Sequence, residues 1–377
     1  MIRLLSEEII KLRGENNFLL NDAKIERYRI CVRENDGTHT SYCTSVPLCK
    51  KGTNNVVELQ FKASEKAYIL EGSNAVVKVN DHIHMESDMG SCIISLPSQI
   101  VRKTESFIEY KNAYVFPTSN GIVCKARVNK NNPFLLTLTS KELFLNTRSN
   151  NKYFSLMRAK FRPLVTISSI GSLDYKDRFI SPAFLSYIPL SNNSYQISIS
   201  SENENTEFVI FEINMYDEKL LQDTTVESRS AGSNNAFGSV AFLGNTMAYG
   251  EQWLYSRADF TRIPELFDKK INGATVHYPR FDDNNIKLSA FKVSSRFCSF
   301  GSNWSNKIGY TYSVSDSIIS PNYQSVDLTN LITDPYTGKL VYSEGWVLKT
   351  QVKVSDYTAI TTGDSHFAPV VIEINHN

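Results

Sequence analysis

The segments Ser194-Tyr-Gln-Ile-Ser-Ile-Ser200 and Phe208-Val-Ile-Phe-Glu-Ile-Asn214 are the clearest strand signals in the chain. In the first segment, Ile197 and Ile199 alternate with polar residues, which indicates a strand with one buried face. The second segment contains a continuous apolar run, which is typical of a strand in a well-covered sheet. The polar residues 201–206 between them predict a hairpin tip. Together these segments favour a β class.

Similar strand patterns recur upstream. Further apolar runs lie at residues 25–32, 57–61, 76–83, 92–96, 114–116 and 122–124. Turn-forming residues separate them at 35–37, 51–55, 71–74, 119–121 and 130–133. The Gly, Asn, Asp and Pro residues in these turns tolerate or favour the backbone angles that a turn requires. Short strands joined in this way favour β-sandwiches over alternating strands and helices.

Two short stretches depart from the strand pattern. Apolar residues at three- and four-residue spacing predict an N-terminal amphipathic helix: Ile2, Leu5, Ile9 and Leu12. Its apolar face is too small to form a core alone, so we expect it to pack on the body of the protein or on another chain. Residues 139–144 predict a single helical turn. The predicted fold is mainly β, with tandem antiparallel β-sandwich domains and a short N-terminal helix.

The chain of 377 residues is long enough for two or three domains, and its strand runs suggest four segments. We expect an attachment segment with a helix and strands at residues 1–60, and a β-rich domain at 61–150. A small immunoglobulin-like sandwich is expected at 151–222, and a larger β-sandwich at 223–377.

Charge and hydropathy exclude several kinds of partner. Forty Lys and Arg against 39 Asp and Glu leave a net charge of +1, which disfavours binding to nucleic acid or to an anionic membrane. No apolar run approaches the ~20 residues that span a bilayer. Glu7 and Glu8 interrupt the N-terminal apolar pattern, so we expect no signal peptide and synthesis in the cytosol.

Metal sites are not favoured. The six cysteines are irregularly spaced, which predicts reduced, buried thiols rather than disulfides or zinc ligands. His82, His84 and Glu86 project from one strand face and could form a metal-binding edge, but a polar strand face explains them better. Residues 282–285, Asp-Asp-Asn-Asn, could supply oxygen ligands to calcium. A hairpin turn after residue 281 is the favoured interpretation.

We find no nucleophile elbow, phosphate-binding loop or zinc-protease motif. Cys298 with His277 or His366 could form a thiol pair, and Glu202 with Glu204 a carboxylate pair, but an apolar core and a solvated turn explain them better. We therefore expect no catalytic residues, no cofactor and no enzymatic activity.

Aromatic residues offer the one candidate binding surface. Trp253, with Tyr249 and Tyr255, could present flat apolar faces to a sugar. We expect Trp304 and Trp346 to have packing roles instead.

A series of landmarks spans residues 223–374. They are Asp223-Thr-Thr-Val226, Asn234-Asn-Ala-Phe237-Gly238, Ser256-Arg-Ala-Asp259-Phe260, Ile271-Asn-Gly-Ala274, Asn303-Trp304-Ser-Asn306-Lys307, Gly345-Trp-Val-Leu-Lys349 and Phe367-Ala-Pro369. This order resembles the DNRLRE family, a β-sandwich module of secreted wall-associated proteins and phage structural proteins. The upstream half resembles the partner region of prophage-encoded proteins that carry the module. The resemblance implies a binding or structural part, and no catalytic residues follow from it.

The resulting hypothesis is a non-enzymatic structural component of a phage or phage-tail-like particle. The roles expected are tail, baseplate, fibre or decoration protein, with other virion proteins and further copies of the chain as partners. Such a protein is made in the host cytoplasm and released by lysis. Residues 1–60 would attach it to the particle, and residues 223–377 would face outward. The alternative is a carbohydrate-binding module that recognises bacterial cell-wall or capsular glycan.

Overall fold

The computed structural model describes residues 2–14, 23–49, 62–63, 68–71, 75–80, 82–87, 90–96, 99–117, 121–128, 131, 133–140, 142–147, 157–162, 165–169, 172–173, 179–181, 183–191, 193–201, 206–214, 219–231, 240–297, 302–363, 365 and 368–377. The chain forms two compact units. The first unit combines residues 1–56 with residues 218–377, and the second contains residues 57–217.

The elements follow one another in this order. The first unit begins with α1 (Ile2–Arg13), β1 (Ala23–Ile25), β2 (Arg29–Arg33) and β3 (His39–Thr44). The second unit contains β4 (Lys62–Ala63), β5 (Tyr68–Glu71), β6 (Ala75–Val79), β7 (His82–Ser87), β8 (Gly90–Ser95), β9 (Ile100–Lys103), β10 (Ile108–Tyr110), β11 (Ala113–Pro117), β12 (Gly121–Val128), β13 (Phe134–Ser140), β14 (Glu142–Thr147), β15 (Met157–Arg162), β16 (Val165–Ser169), β17 (Ser172–Leu173), β18 (Phe179–Ser181), β19 (Ala183–Ser191), β20 (Ser194–Ser201) and β21 (Thr206–Asn214).

The first unit then contains 3-10 turns at Ser228–Ser230, Phe260–Arg262 and Pro264–Leu266, and it resumes with its remaining strands and a short α-helix. These are β22 (Leu221–Glu227), β23 (Val240–Thr246), β24 (Gly250–Ala258), β25 (Ile271–Pro279), β26 (Ser289–Val293), β27 (Tyr310–Asp316), β28 (Ile318–Ile319), β29 (Tyr323–Asp327), α2 (Thr329–Ile332), β30 (Trp346–Lys349), β31 (Tyr357–Thr361) and β32 (Val371–His376). The predicted fold class is confirmed, because the described chain is mainly antiparallel β with a short N-terminal helix. No helix among the described residues is long and apolar enough to cross a membrane.

Two sheets form the sandwich of the first unit. Their strand orders are β1-β2-β3-β32-β25-β29-β28 and β27-β26-β30-β24-β23-β31, and β22 also pairs with β24. Val276 and Ile372 from the first sheet share one buried core with Leu254 and Leu348 from the second. Each such side chain that is fully removed from water contributes about 1.5–3 kcal/mol.

Helix α1 covers the other face of the first sheet. Leu5 and Ile9 are fully buried against Ile30, Tyr42 and Val371. The helix therefore packs on the body of the protein, the first of the two alternatives that its pattern left open. Its apolar face is occupied within the unit and is not free to anchor the chain elsewhere.

Two eight-stranded sheets form the main part of the second unit, beside a two-stranded sheet of β17 and β18. Their orders are β14-β15-β16-β21-β12-β11-β10-β9 and β19-β20-β13-β8-β7-β6-β5-β4. Side chains from both sheets, such as Ile83 and Cys124, fill one common core.

These units group the residues differently from the four segments expected at 1–60, 61–150, 151–222 and 223–377. Strand β3 pairs with β32, with Tyr42 opposite Glu373, so both ends of the chain build one sheet. In the second unit β12 pairs with β21, which puts residues on either side of position 150 in one sheet.

Three local predictions are wrong. Residues 139–140 and 142–144 are strand rather than a helical turn, because Leu136 and Leu138 are buried where β13 pairs with β8 and β20. Strands β20 and β21 lie in opposite sheets and do not pair as the two arms of the expected hairpin; residues 202–205 between them lie outside the described residues. Strands β25 and β26 likewise lie in the two different sheets of the first unit. The chain therefore crosses from one sheet to the other between them, without the hairpin expected after residue 281.

Candidate functional site

An aromatic cluster lies on the outer face of the second sheet of the first unit. In β24, Leu254 faces the main core, so its neighbours Trp253 and Tyr255 point to the opposite face. Tyr255 belongs to a small separate core on that face, and Trp253, Phe291 and Trp304 pack against it. Strand alternation therefore places the rings outside the sandwich.

Four rings on this face contact one another in tilted or edge-to-face geometry: Trp253, Trp304, Tyr310 and Phe291. The ring centroid of Trp253 lies 5.0 Å from that of Trp304 and 5.7 Å from that of Tyr310. Phe291 lies 4.9 Å from Tyr310. Such ring pairs each contribute about 0.5–1.5 kcal/mol beyond the area that they bury. Tyr310 remains 38% exposed, and the other three rings are partly exposed.

Two lysine ammonium groups lie against these rings. The Nζ atom of Lys307 is 4.2 Å from the centroid of Trp304 and 5.4 Å from that of Trp253. The Nζ atom of Lys349 lies between 5.0 and 5.2 Å from the centroids of Trp253, Phe291 and Tyr310. These separations lie within the range of cation–π attraction. We call these six residues, the four rings and the two lysines, the aromatic–lysine cluster.

The lysines are held by backbone carbonyls rather than by acids. Lys307 donates to the carbonyl of Trp304 at 3.2 Å, and Lys349, only 7% exposed, donates to that of Thr350 at 2.9 Å. Among the described residues no carboxylate lies within 4.0 Å of either ammonium group. The acid that touches the cluster is Glu251, which accepts a hydrogen bond from Nε1 of Trp253 at 2.7 Å.

An asparagine turn positions Trp304 and Lys307. The side-chain oxygen of Asn303 accepts hydrogen bonds from the backbone N–H groups of Ser305 and Asn306, at 3.0 and 3.1 Å. In return, Asn306 accepts from the N–H of Asn303 at 2.7 Å. These bonds fix the loop that carries the indole, as expected where Asn side chains replace backbone partners in a turn.

The three candidate sugar-binding residues lie in different environments. Trp253 is part of the aromatic–lysine cluster. Tyr255 is fully buried and donates to the carbonyl of Ile308 at 2.5 Å, and burial raises its pKa. Tyr249 stacks on Phe242, with ring centroids 5.8 Å apart.

Of the other tryptophans, Trp346 is fully buried and donates from Nε1 to the hydroxyl of Tyr278 at 2.9 Å. Trp304 lies in the cluster. Phe291, Tyr310 and the two lysines were not among the site residues predicted from the sequence. The segment Asn303-Trp304-Ser-Asn306-Lys307 was the one signal that could have pointed to Lys307.

The candidate metal ligands have structural partners instead. No group of three or more His, Cys, Asp or Glu in the described part of the chain could hold a metal ion. Glu86 pairs with Lys78 at 3.4 Å and with His84 at 3.6 Å. Asp282 accepts hydrogen bonds from the backbone N–H of Ala359 and from Thr358, and burial raises its pKa.

The candidate catalytic groups are only partly described. Cys298, His366, Glu202 and Glu204 lie outside the described residues. His277 bonds through Nδ1 to the hydroxyl of Ser325 at 2.9 Å, and its Nε2 lies 3.2 Å from Glu373. The five described cysteines are free, and burial raises the pKa of Cys43 and Cys92 to about 12.

No protein-family model matches the chain, and no curated protein matches its sequence.

Proposed function

We propose that the protein is a non-enzymatic structural component of a phage or phage-tail-like particle, with a tail, baseplate, fibre or decoration role. The observation that carries this proposal is the role of three acids in the first unit, of which Asp223 and Glu8 are buried and Asp282 is partly buried. Asp223 accepts from the N–H of Gly363, Asp282 ties its loop to β31, and Glu8 accepts from the hydroxyl of Tyr323. Each acid links separate elements through a hydrogen bond, which suits a structural role better than proton transfer.

Two further features support the proposal. The buried thiols have raised pKa values, which makes them poor nucleophiles at neutral pH. The order of landmarks along residues 223–374 resembles a module of phage structural proteins. Repeated copies in a particle turn weak individual contacts into firm attachment, so assembly requires no cofactor.

Sedimentation of particles tests this proposal. Particles released by lysis of the producing host are purified on a density gradient and labelled with an antibody against the protein. We expect the protein to co-sediment with the particles and the label to appear at a fixed position on them. Recovery of the protein only in fractions without particles would contradict the proposal.

The second candidate function is recognition of bacterial cell-wall or capsular glycan. The observation that favours it is the aromatic–lysine cluster, since partly exposed rings beside ammonium groups suit stacking against a sugar. In a glycan-array experiment with the full chain, we expect binding that Trp253→Ala weakens. An array on which no glycan binds would remove this candidate.

A further inference from the structure

The aromatic–lysine cluster carries an excess of positive charge. Lys307 and Lys349 both lie within 5.4 Å of the Trp253 centroid, so a ligand of sugar size at this ring is near both ammonium groups. Glu251 supplies one negative charge to the same ring through Nε1 of Trp253. The local balance is therefore one positive charge, whereas the whole chain is nearly neutral.

The environment of these charges strengthens their attraction for an anion. Lys349 is almost entirely buried, and Lys307 is half-buried over an indole. Charges that are partly removed from water interact more strongly than those in bulk solvent. A lysine that lacks a carboxylate partner retains donors for an incoming carboxylate or phosphate.

The geometry of the rings indicates the shape of the uncharged part of the ligand. Trp304 is tilted by 59° to Trp253, and Tyr310 by 73°, so neither ring forms with Trp253 a flat slot for a long planar ligand. A pyranose has an apolar face of about the size of one ring and hydroxyl groups around it, and Asn306 and Ser305 are exposed beside Trp304 to meet them. The near-neutral chain argues against nucleic acid as the ligand.

We propose that the aromatic–lysine cluster binds an acidic saccharide. A pyranose lies against the exposed parts of Trp304 and Tyr310, and its carboxylate or phosphate group pairs with the ammonium of Lys307. This inference rests on the glycan-recognition candidate and goes beyond it by specifying the charge of the sugar. Trp253 and Trp304 report binding directly, because both indoles lie at the site.

Titrations of the full chain, followed by tryptophan fluorescence and calorimetry, test the inference. The probes are a uronic-acid hexasaccharide, a phosphodiester-linked sugar oligomer, a neutral hexasaccharide of matched size and a single-stranded oligonucleotide. We expect one or both acidic saccharides to bind more tightly than the neutral one, and to bind less tightly as salt is raised. Binding of the uronic-acid hexasaccharide identifies a carboxylate as the recognised anion, and binding of the phosphodiester-linked oligomer identifies a phosphate.

Variants separate the charge from the packing. Lys307→Gln should weaken acidic-saccharide binding about tenfold or more, and Lys307→Arg should restore most of it. The control Lys353→Gln removes an exposed lysine that has no contact with the cluster and should change nothing. Circular dichroism verifies that each variant is folded.

Each remaining outcome counts against the inference. Equal affinity for the neutral and acidic sugars, or binding unaffected by Lys307→Gln, would overturn it and leave glycan recognition standing. If no saccharide binds, or if only the oligonucleotide binds, both are overturned.

Discussion

The backbone carbonyl of Ser45 accepts a hydrogen bond from the N–H of Leu220 at 2.7 Å. The hydroxyl of Ser45 donates to the carbonyl of Leu221 at 3.0 Å. Ser45 lies just before the chain enters the second unit, and Leu220 lies just after it returns. The first unit is therefore closed across the point where the second unit interrupts its sequence.

This closure predicts that the first unit folds without the second. Replacing residues 50–218 by a flexible linker of about eight Gly and Ser residues leaves intact both the core between the two sheets and the core between α1 and the first sheet. We expect a soluble protein with one cooperative thermal transition, measured by circular dichroism. A chain that aggregates or melts without cooperativity would show that the first unit depends on the insert.

Leu5→Ala should destabilise the first unit by about 2–5 kcal/mol, because it leaves a cavity between α1 and the first sheet. Denaturant unfolding measures the change. The control Arg3→Ala alters a side chain that is 88% exposed and should cost about 0.5 kcal/mol or less. Similar effects of the two substitutions would contradict the docking of α1 on the sheet.

Gly345→Ala should be strongly destabilising. Gly345 has φ +107°, and a Cβ there would lie 2.4 Å from the carbonyl oxygen of Ser256, so the substitution adds both backbone strain and a clash. A loss of about 2 kcal/mol or more is expected in thermal or denaturant unfolding. Gly273→Ala is the matched control, since a Cβ there meets nothing within 4 Å. Comparable losses for both variants would count against the position of β30.

Asp223 should make stability depend on pH. Burial raises the pKa of its carboxyl group from 3.8 to about 6. Between these values the folded protein holds a proton that the unfolded chain has released. The contribution of Asp223 to stability is therefore fully present below about pH 4 and is lost as pH rises through about 6, by an amount on the order of 3 kcal/mol.

Asp223→Asn removes this titration and keeps an oxygen that can accept from Gly363. The difference in free energy of unfolding between the variant and the wild-type protein should therefore change across this pH window. Asp316→Asn is the control: hydrogen bonds, chiefly from Ser289, lower the pKa of Asp316 below 3.8, so its effect should be constant above about pH 4. A constant difference for Asp223→Asn as well would mean that this acid titrates normally.

The β class could be predicted because alternation is a local property, as in Ile197 and Ile199. The pairing of strands could not. Tyr42 lies opposite Glu373, and nothing near either residue specifies a partner so distant in sequence. Likewise, the polar stretch after β20 looks the same whether the chain turns back in one sheet or crosses to the other.

Of the candidate site, too, the residue types could be predicted from the sequence, and their contacts could not. Trp253 was identified from residue type, but Tyr255 was not recognised as buried, because Phe297 and Ile308, which contact it, are distant from it in the sequence. The two lysines acquire their role from the rings that tertiary packing brings to them. Such a cluster has no pattern in the linear sequence.

Quantitative mass spectrometry of purified particles tests the central claim most directly, since it counts copies of the protein relative to the major particle protein. A structural component is predicted to occur at a constant ratio in every preparation, consistent with a symmetric assembly. A trace amount that varies between preparations and falls with further purification would contradict a structural role.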